Sequence, residues 1–350
     1  MIHRYKNNGY NIVLDVNSGS VHVVDDIVYD IVGCLEEKMS EAAILEKFKN
    51  QYKEEDIRTA IEECRELEEA QMLFTNDIYE NAIESFKDRP TVVKALCLHI
   101  AHDCNLACRY CFAEEGEYHG RRALMTYEVG KQALDFLIAN SGNRKNLEVD
   151  FFGGEPLMNW NVVKELVAYG RSQEKIHNKH FRFTLTTNGV LLDDDIMEFA
   201  NKEMDNVVLS IDGRKEVHDF MRPFRKGKGS YDLVVPKFQK FADSRGQQKY
   251  YARGTFTHHN LDFSEDVLHL ADLGFEQISV EPVVADEKEE YAIKKEDIPK
   301  ICEEYDKLAK EMIRRNKEGK GFNFFHFMID LTGGPCVYKR LSGCGSGTEY

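Results

Sequence analysis

The stretch Cys104-Asn105-Leu106-Ala107-Cys108-Arg109-Tyr110-Cys111-Phe112 holds three of the chain's nine cysteines in one short loop. It follows the apolar run "VVKALCLHIA" (92–101), which reads as a buried strand. From there the chain alternates. Further strands are expected at "NLEVDFF", "FRFTLTTN", "NVVLSID", "KYYARGTFT" and "FEQISVEPVV". Helical periodicity lies between and after them, at 126–140, 160–177, 193–202, 230–244, 263–273 and 296–317. Apolar strands separated by helices predict a parallel sheet covered by helices. Six such units make a partial (β/α)6 barrel of the TIM type, with the chemistry where strands end.

The motifs fall at those ends. The cysteine loop follows the first strand, "GGEP" (153–156) the second, "TTNG" (186–189) the third and "SIDG" (210–213) the fourth. Glu281-Pro282 ends the sixth. Each alone is an ordinary turn signal; five on one rim indicate a site.

Residues 1–85 differ in kind. "NIVLDV" and "SVHVVD", joined by "NSGS", read as a hairpin. Three amphipathic stretches follow, capped by Asp25 or Asp26 and by Ser40 in the first two, with Ile57, Ile61, Cys64 and Leu67 on one face of the third. This is a winged-helix-like α+β pattern. With eight basic and nineteen acidic side chains, the segment has the wrong sign for phosphate contacts. A hairpin beside helices instead suits an extended peptide added as a strand. Cys34 and Cys64 fall on apolar faces, where packing accounts for them.

The net charge of −15 argues against nucleic acid and anionic membrane as partners. No run of about 18 apolar residues spans a membrane, and the first residues lack a signal-peptide pattern. A cytoplasmic location is expected, where clustered thiols point to metal or redox chemistry. A structural zinc site wants four ligands. On the residues alone, a Cys3His site drawing on His99, His102 or His119 stays open. A four-iron cluster held by three thiolates leaves one iron free to bind a ligand.

"CNLACRYCF" with its aromatic after the third cysteine, together with "GGEPL" after the second strand, resembles the radical S-adenosylmethionine (SAM) enzymes. The resemblance implies that Cys104, Cys108 and Cys111 ligate a [4Fe–4S] cluster whose open iron binds SAM. One-electron cleavage then yields a 5′-deoxyadenosyl radical. It places Phe112 near the cluster or adenine, and Gly153, Gly154, Glu155 and Pro156 at the SAM amino group. Thr187, Asn188, Ser210 and Asp212 would contact ribose or methionine, and Arg222 the SAM carboxylate. An electron donor such as ferredoxin or flavodoxin is implied as a partner.

The tail, "GGPCVYKRLSGCGSGTEY", resembles the opening of a SPASM extension, with Cys336 and Cys344 as ligands of an auxiliary [4Fe–4S] cluster. That family's extension carries further cysteines, so the resemblance predicts a longer complete protein with auxiliary clusters. The expected order is a leader-peptide recognition domain at 1–85, a radical SAM partial barrel at 86–320 and the SPASM start at 321–350. "KALCLHIAHDCNLACRYCFAEEGEYHGRRALM" and "FNFFHFMIDLTGGPCVYKRLSGCGSGTEY" are similar to the maturases of six-cysteine SCIFF peptides. Those enzymes form a thioether between a cysteine sulfur and an α-carbon, commonly of threonine, in a ribosomal precursor peptide. A sulfatase-type maturase and a non-enzymatic iron–sulfur redox sensor are the alternatives. For the proton acceptor, Glu281, His326 and Asp330 are candidates.

Overall fold

The structure is a computed structural model that describes residues 1–80, 91–331, 334, 336, 345 and 347–350. Cys344 lies outside the described residues. The chain forms two compact units, Met1–Pro90 with Ile329–Ser346, and Thr91–Met328 with Gly347–Tyr350.

The first unit opens with a three-stranded antiparallel meander, β1 (Ile2–Asn7), β2 (Tyr10–Asp15) and β3 (Val21–Val24), in the order β1-β2-β3. The expected hairpin is β2–β3; β1, which pairs with β2 along its length, was not anticipated from its polar sequence. Helices α1 (Asp26–Glu36), α2 (Glu41–Phe48) and α3 (Glu54–Glu69) follow. Asp25 caps α1 by accepting from the Val28 N–H, and Ser40 caps α2 from Ala43. Ile31, Ile44, Ile57 and Ile61 are fully buried in this unit's own core, with Cys34 and Cys64 packed among them. Asp15 is completely buried and closes the β2–β3 turn. Its carboxylate accepts from the N–H groups of Asn17 and Ser18 and from both the N–H and hydroxyl of Thr75.

The second unit is the α/β fold. Its parallel strands are β4 (Ala95–His102), β6 (Asn146–Gly153), β7 (His180–Thr187), β8 (Asn206–Ser210), β9 (Tyr250–Phe256), β10 (Gln277–Pro282) and β11 (Asn323–Phe324). They lie side by side in chain order, and β5 (Ala123–Leu124) adds an antiparallel edge to β4. Between them run α4 (Tyr127–Asn140), α5 (Trp160–His177), α6 (Asp194–Glu203), α7 (Lys215–Met221), α8 (Tyr231–Ser244), α9 (Phe263–Asp272) and α10 (Ile298–Lys317). The sheet is open: β11 and β5 are its edges. The six expected strands and six expected helices are all present. The short β5, β11 and α7 carry too few residues for a periodicity to register.

Alternation along each strand sorts the side chains. On β6, Leu147, Val149 and Phe151 are buried against the helices, while Glu148, Asp150 and Phe152 occupy the opposite face. Phe151, Phe183 and Phe181 stack across β6 and β7 with ring centres 5.6 and 5.7 Å apart. This dry layer between sheet and helices fixes the strand register and so the positions of the loops at the strand ends.

Candidate active site

A cavity of about 460 Å³ opens at the carboxyl ends of these strands. Cys104, Cys108 and Cys111 line it together with Phe112, Gly153, Gly154, Glu155, Pro156, Thr187, Asn188, Ser210, Arg222 and Glu281. That volume lies within the usual range for a small-molecule pocket.

The cysteine loop is laced to its surroundings. The N–H groups of Ala107 and Arg109 donate to the carbonyls of Pro223 and Met221, both at 2.9 Å. Asn188 Nδ2 donates to Asn105 Oδ1 at 2.8 Å and approaches Cys104 Sγ at 3.5 Å. Burial pushes the Cys104 thiol up to about 12 and that of Cys108 to about 11. As free thiols they hold their protons at neutral pH, so ligation of a metal must displace them. Among the described residues, no three His, Cys, Asp or Glu side chains converge as ligands of a single metal ion. His99 and His102 pack instead against the Tyr118 ring, at 4.4 and 5.0 Å. None of His99, His102 and His119 lines the cavity with the three thiols. Three soft thiols on the wall of a roomy cavity fit a group larger than one ion.

The Gly-Gly-Glu-Pro loop crosses behind the cysteine loop. Gly154 N–H donates to Ala101 O at 2.7 Å, and Glu155 N–H to Asp103 O at 2.9 Å. With these N–H groups engaged, the loop has carbonyl oxygens to show a ligand, which suits an ammonium. The Glu155 side chain is buried and does not reach out. It accepts from Thr187 Oγ1 and Asn188 N at 2.8 Å and from Leu157 N at 3.1 Å. Burial raises its carboxyl to about 7 despite those three donors. Thr187's hydroxyl is thereby committed to Glu155, a latch between the β6 and β7 ends.

Asp212 differs from its expected role. It is fully buried behind the cavity wall and saturated. Tyr110 Oη lies 2.7–2.8 Å from its two oxygens, Arg222 Nε at 3.0 Å and Thr255 N at 3.1 Å. It has no face for ribose or methionine; it holds Arg222. That guanidinium also lies over the Tyr110 ring, 5.4 Å from its centre. Among the described residues no acceptor pairs with its two terminal nitrogens, and Arg222 lines the cavity. His218 supports the same corner from beneath. Its Nδ1 accepts from Asp212 N at 3.4 Å, so Nε2 carries the proton toward Ser230 Oγ at 2.9 Å. Ser230 in turn donates to Arg222 O at 2.7 Å.

Glu281 is bound to a partner that the motifs did not reveal, Arg253 of β9, whose Nη2 lies 2.6 Å from its carboxylate. Both line the cavity with Thr255, Phe152 and Val208. The signal was present in strand alternation: Tyr251, Arg253 and Thr255 fall on one face of β9 and Glu281 on the adjoining face of β10. Tyr110 was equally legible as the residue between two cysteines. His326 sits in the turn Phe325–Phe327 stacked on Phe324; it is not itself a lining residue, but it lies near enough to Glu281 and Arg253 of the cavity wall to feel their charges. Asp330 and the exposed Cys336 belong to the first unit.

An open parallel α/β sheet thus carries three thiols in the loop after its first strand. Residues 98–252 match the model of the Radical SAM superfamily. The matched family implies SAM and a [4Fe–4S] cluster. The chain is 26% identical over 162 residues to the radical SAM cyclopropyl synthase TigE of Paramaledivibacter caminithermalis, covering 40% of this chain and 34% of TigE. Its fold matches anSMEcpe with bound AdoMet at a TM-score of 0.58, with 19% identity over 67% of this chain and 65% of that one. It matches Streptococcus suis SuiB bound to S-adenosylmethionine at 0.50, with 16% identity over 99% and 78% of the two chains. The chain spans less than half the length of the curated relatives it matches first. No helix among the described residues is long and apolar enough to cross a membrane.

Proposed function

We propose that the protein is a radical SAM maturase that installs a thioether crosslink, from a cysteine sulfur to an α-carbon such as that of threonine, in a ribosomally synthesised precursor peptide. The observation that carries the reading is the convergence of Cys104, Cys108, Cys111, the Gly153–Pro156 loop and Arg222 on one cavity. The peptide part is supported by the acidic first unit. Its sheet ends in β3, where Val23 is 65% exposed and only β2 is a partner among the described residues. An extended leader segment fits there as a further strand. The SCIFF-type subfamily, the division at residues 1–85, 86–320 and 321–350, a cytoplasmic location, and an auxiliary cluster on Cys336 and Cys344 belong to the same proposal.

In this reading Cys104, Cys108 and Cys111 hold the [4Fe–4S] cluster. With SAM bound, that group supplies a 5′-deoxyadenosyl radical that removes a hydrogen atom from the peptide. The chain's own residues orient and exclude. Arg222, fixed by Asp212, presents its free nitrogens to the SAM carboxylate. Carbonyls of the Gly153–Pro156 loop face the SAM ammonium. Phe152 and Val208 give the cavity an apolar wall toward the reacting centre, and Phe112, exposed at the cavity, is placed to pack on the cluster or adenine. Arg253 and Glu281 mark the β9–β10 side as the peptide's position, with Glu281 as the acceptor of a substrate proton.

The test is anaerobic reconstitution with iron and sulfide, followed by SAM and dithionite, with 5′-deoxyadenosine counted by mass spectrometry. Wild type is expected to form it and Cys108→Ala to lose it. A precursor peptide that leaves lighter by two hydrogen atoms per crosslink supports the thioether. An oxidised cysteine or serine without a crosslink indicates the sulfatase-type reaction instead. An intact cluster that never cleaves SAM indicates the redox sensor.

A further inference from the structure

We propose that the outer face of the cysteine loop, formed by residues 104–112 and 220–228, is the docking surface for a small acidic one-electron carrier protein. This rests on the radical SAM reading of the loop. The two strips are joined edge to edge by the Ala107–Pro223 and Arg109–Met221 hydrogen bonds and by a bridge between Leu106 and Phe224. Together they contain five basic residues and no acidic one, in a chain with 61 acidic against 46 basic side chains. Of the five, Arg222 turns to the cavity and Arg225 pairs with Glu115. Arg109, Lys226 and Lys228 are exposed, and among the described residues none has a carboxylate partner.

The patch has an apolar centre. Phe220 is 45% exposed, with the Arg109 guanidinium 4.3 Å from its ring centre and His259 edge-on at 5.5 Å. An exposed aromatic flanked by arginine is the composition of protein-interface hot spots, whereas a bare phosphate chain asks for charge alone. The surrounding protein is negative, so an acidic partner is repelled elsewhere and steered to this face.

The patch is also wired to the site. Arg225 donates to the Cys104 carbonyl through Nη2 at 2.9 Å and Nε at 3.3 Å. One hydrogen bond thus separates a surface side chain from a residue assigned to the cluster, and Arg225 is not among the residues lining the cavity. One electron leaves the reduced carrier, enters the cluster, and passes into the sulfonium carbon–sulfur bond. That bond breaks to methionine and the deoxyadenosyl radical.

The experiment uses the full chain and an acidic flavodoxin. The variant is Lys226→Glu/Lys228→Glu, since neither side chain lines the cavity. Flavodoxin is titrated calorimetrically into metal-free protein at low salt and at about 0.3 M salt. Deoxyadenosine formation by reconstituted protein is then compared under reduced flavodoxin and under saturating dithionite. The expected result is binding that weakens with salt in wild type, and about tenfold weaker binding and flavodoxin-driven turnover in the variant, with the dithionite rate unchanged. The milder Lys226→Gln/Lys228→Gln pair follows in the same direction and covers a failure of the double Glu variant to fold. Wild-type binding and flavodoxin turnover in both variants, with dithionite working, overturns the docking surface alone. No deoxyadenosine from wild type with dithionite overturns the radical SAM reading and the proposal with it.

Discussion

The phenol of Tyr110, set between Cys108 and Cys111, lies within 2.8 Å of both carboxylate oxygens of Asp212, two residues past the end of β8. One buried hydrogen bond therefore ties the cysteine loop to the corner that aims Arg222. Tyr110→Phe removes one of the three donors to a fully buried carboxylate and is expected to cost about 1–3 kcal/mol of stability. If Arg222 receives the SAM carboxylate, the same change weakens SAM binding several-fold through a loosened guanidinium. Calorimetric titration of SAM into reconstituted protein checks this, with Arg222→Lys as the comparison that keeps the charge and loses the fork.

Gly154 packs where the two loops cross. A Cβ built there would lie 2.1 Å from the Asp103 carbonyl oxygen and 3.1 Å from Gly116 Cα. Both contacts are backbone, so no side chain can swing aside. Gly154→Ala is expected to cost about 3 kcal/mol or more by forcing the loops apart. It also displaces the start of the cysteine loop. Thermal unfolding, and iron bound per chain after reconstitution, measure the two effects separately.

The fold was legible because its strands are long, apolar and regularly spaced, and the motifs at their ends gave the rim. What pattern reading left out was the set of contacts that turn the rim into a site. Asp212 looked like a ligand contact because it sits beside Ser210 in "SIDG". Only the register of β8 against β9 shows it turned inward, toward Thr255 N and Tyr110. Glu155 likewise reads as part of an outward-facing turn, yet it is buried as a latch on Thr187 and Asn188. Arg253 was passed over because a single charge within an apolar strand has no spacing to flag it. Its pairing with Glu281 is a cross-strand fact. β1 was missed because only Ile2 of its six residues is buried, so its pairing rests on backbone hydrogen bonds that leave no pattern in sequence.

Glu155 sets one pH dependence. Its folded-state value of about 7 lies above the unfolded value of 4.5. Between those pH values the native chain binds the extra proton, so stability falls as pH rises and the loss is complete above 7. The shift corresponds to about 3 kcal/mol across that window. Glu155→Gln imitates the protonated carboxyl and removes the slope. The variant is expected to gain on wild type as pH climbs from 4.5 to 7, read as denaturant midpoints at matched ionic strength.

His218 gives the opposite slope. Burial holds its folded value down to about 4, against 6.5 in the unfolded chain. Above 6.5 both states are neutral and nothing is lost. Below it the unfolded chain takes up a proton that the native site refuses, because Nδ1 is committed to Asp212 N–H and Nε2–H to Ser230. Stability therefore falls as pH drops from 6.5 toward 4, by about 3 kcal/mol in total. Between pH 4.5 and 6.5 this loss and the Glu155 gain oppose each other, so wild type alone shows little. His218→Asn, less stable at pH 7 for want of the second hydrogen bond, is expected to lose the acid-side slope and expose the pH dependence set by Glu155. The double variant with Glu155→Gln should lose both of these contributions over that window. A wild-type-like acid slope in His218→Asn would place the acid-labile group elsewhere in the fold.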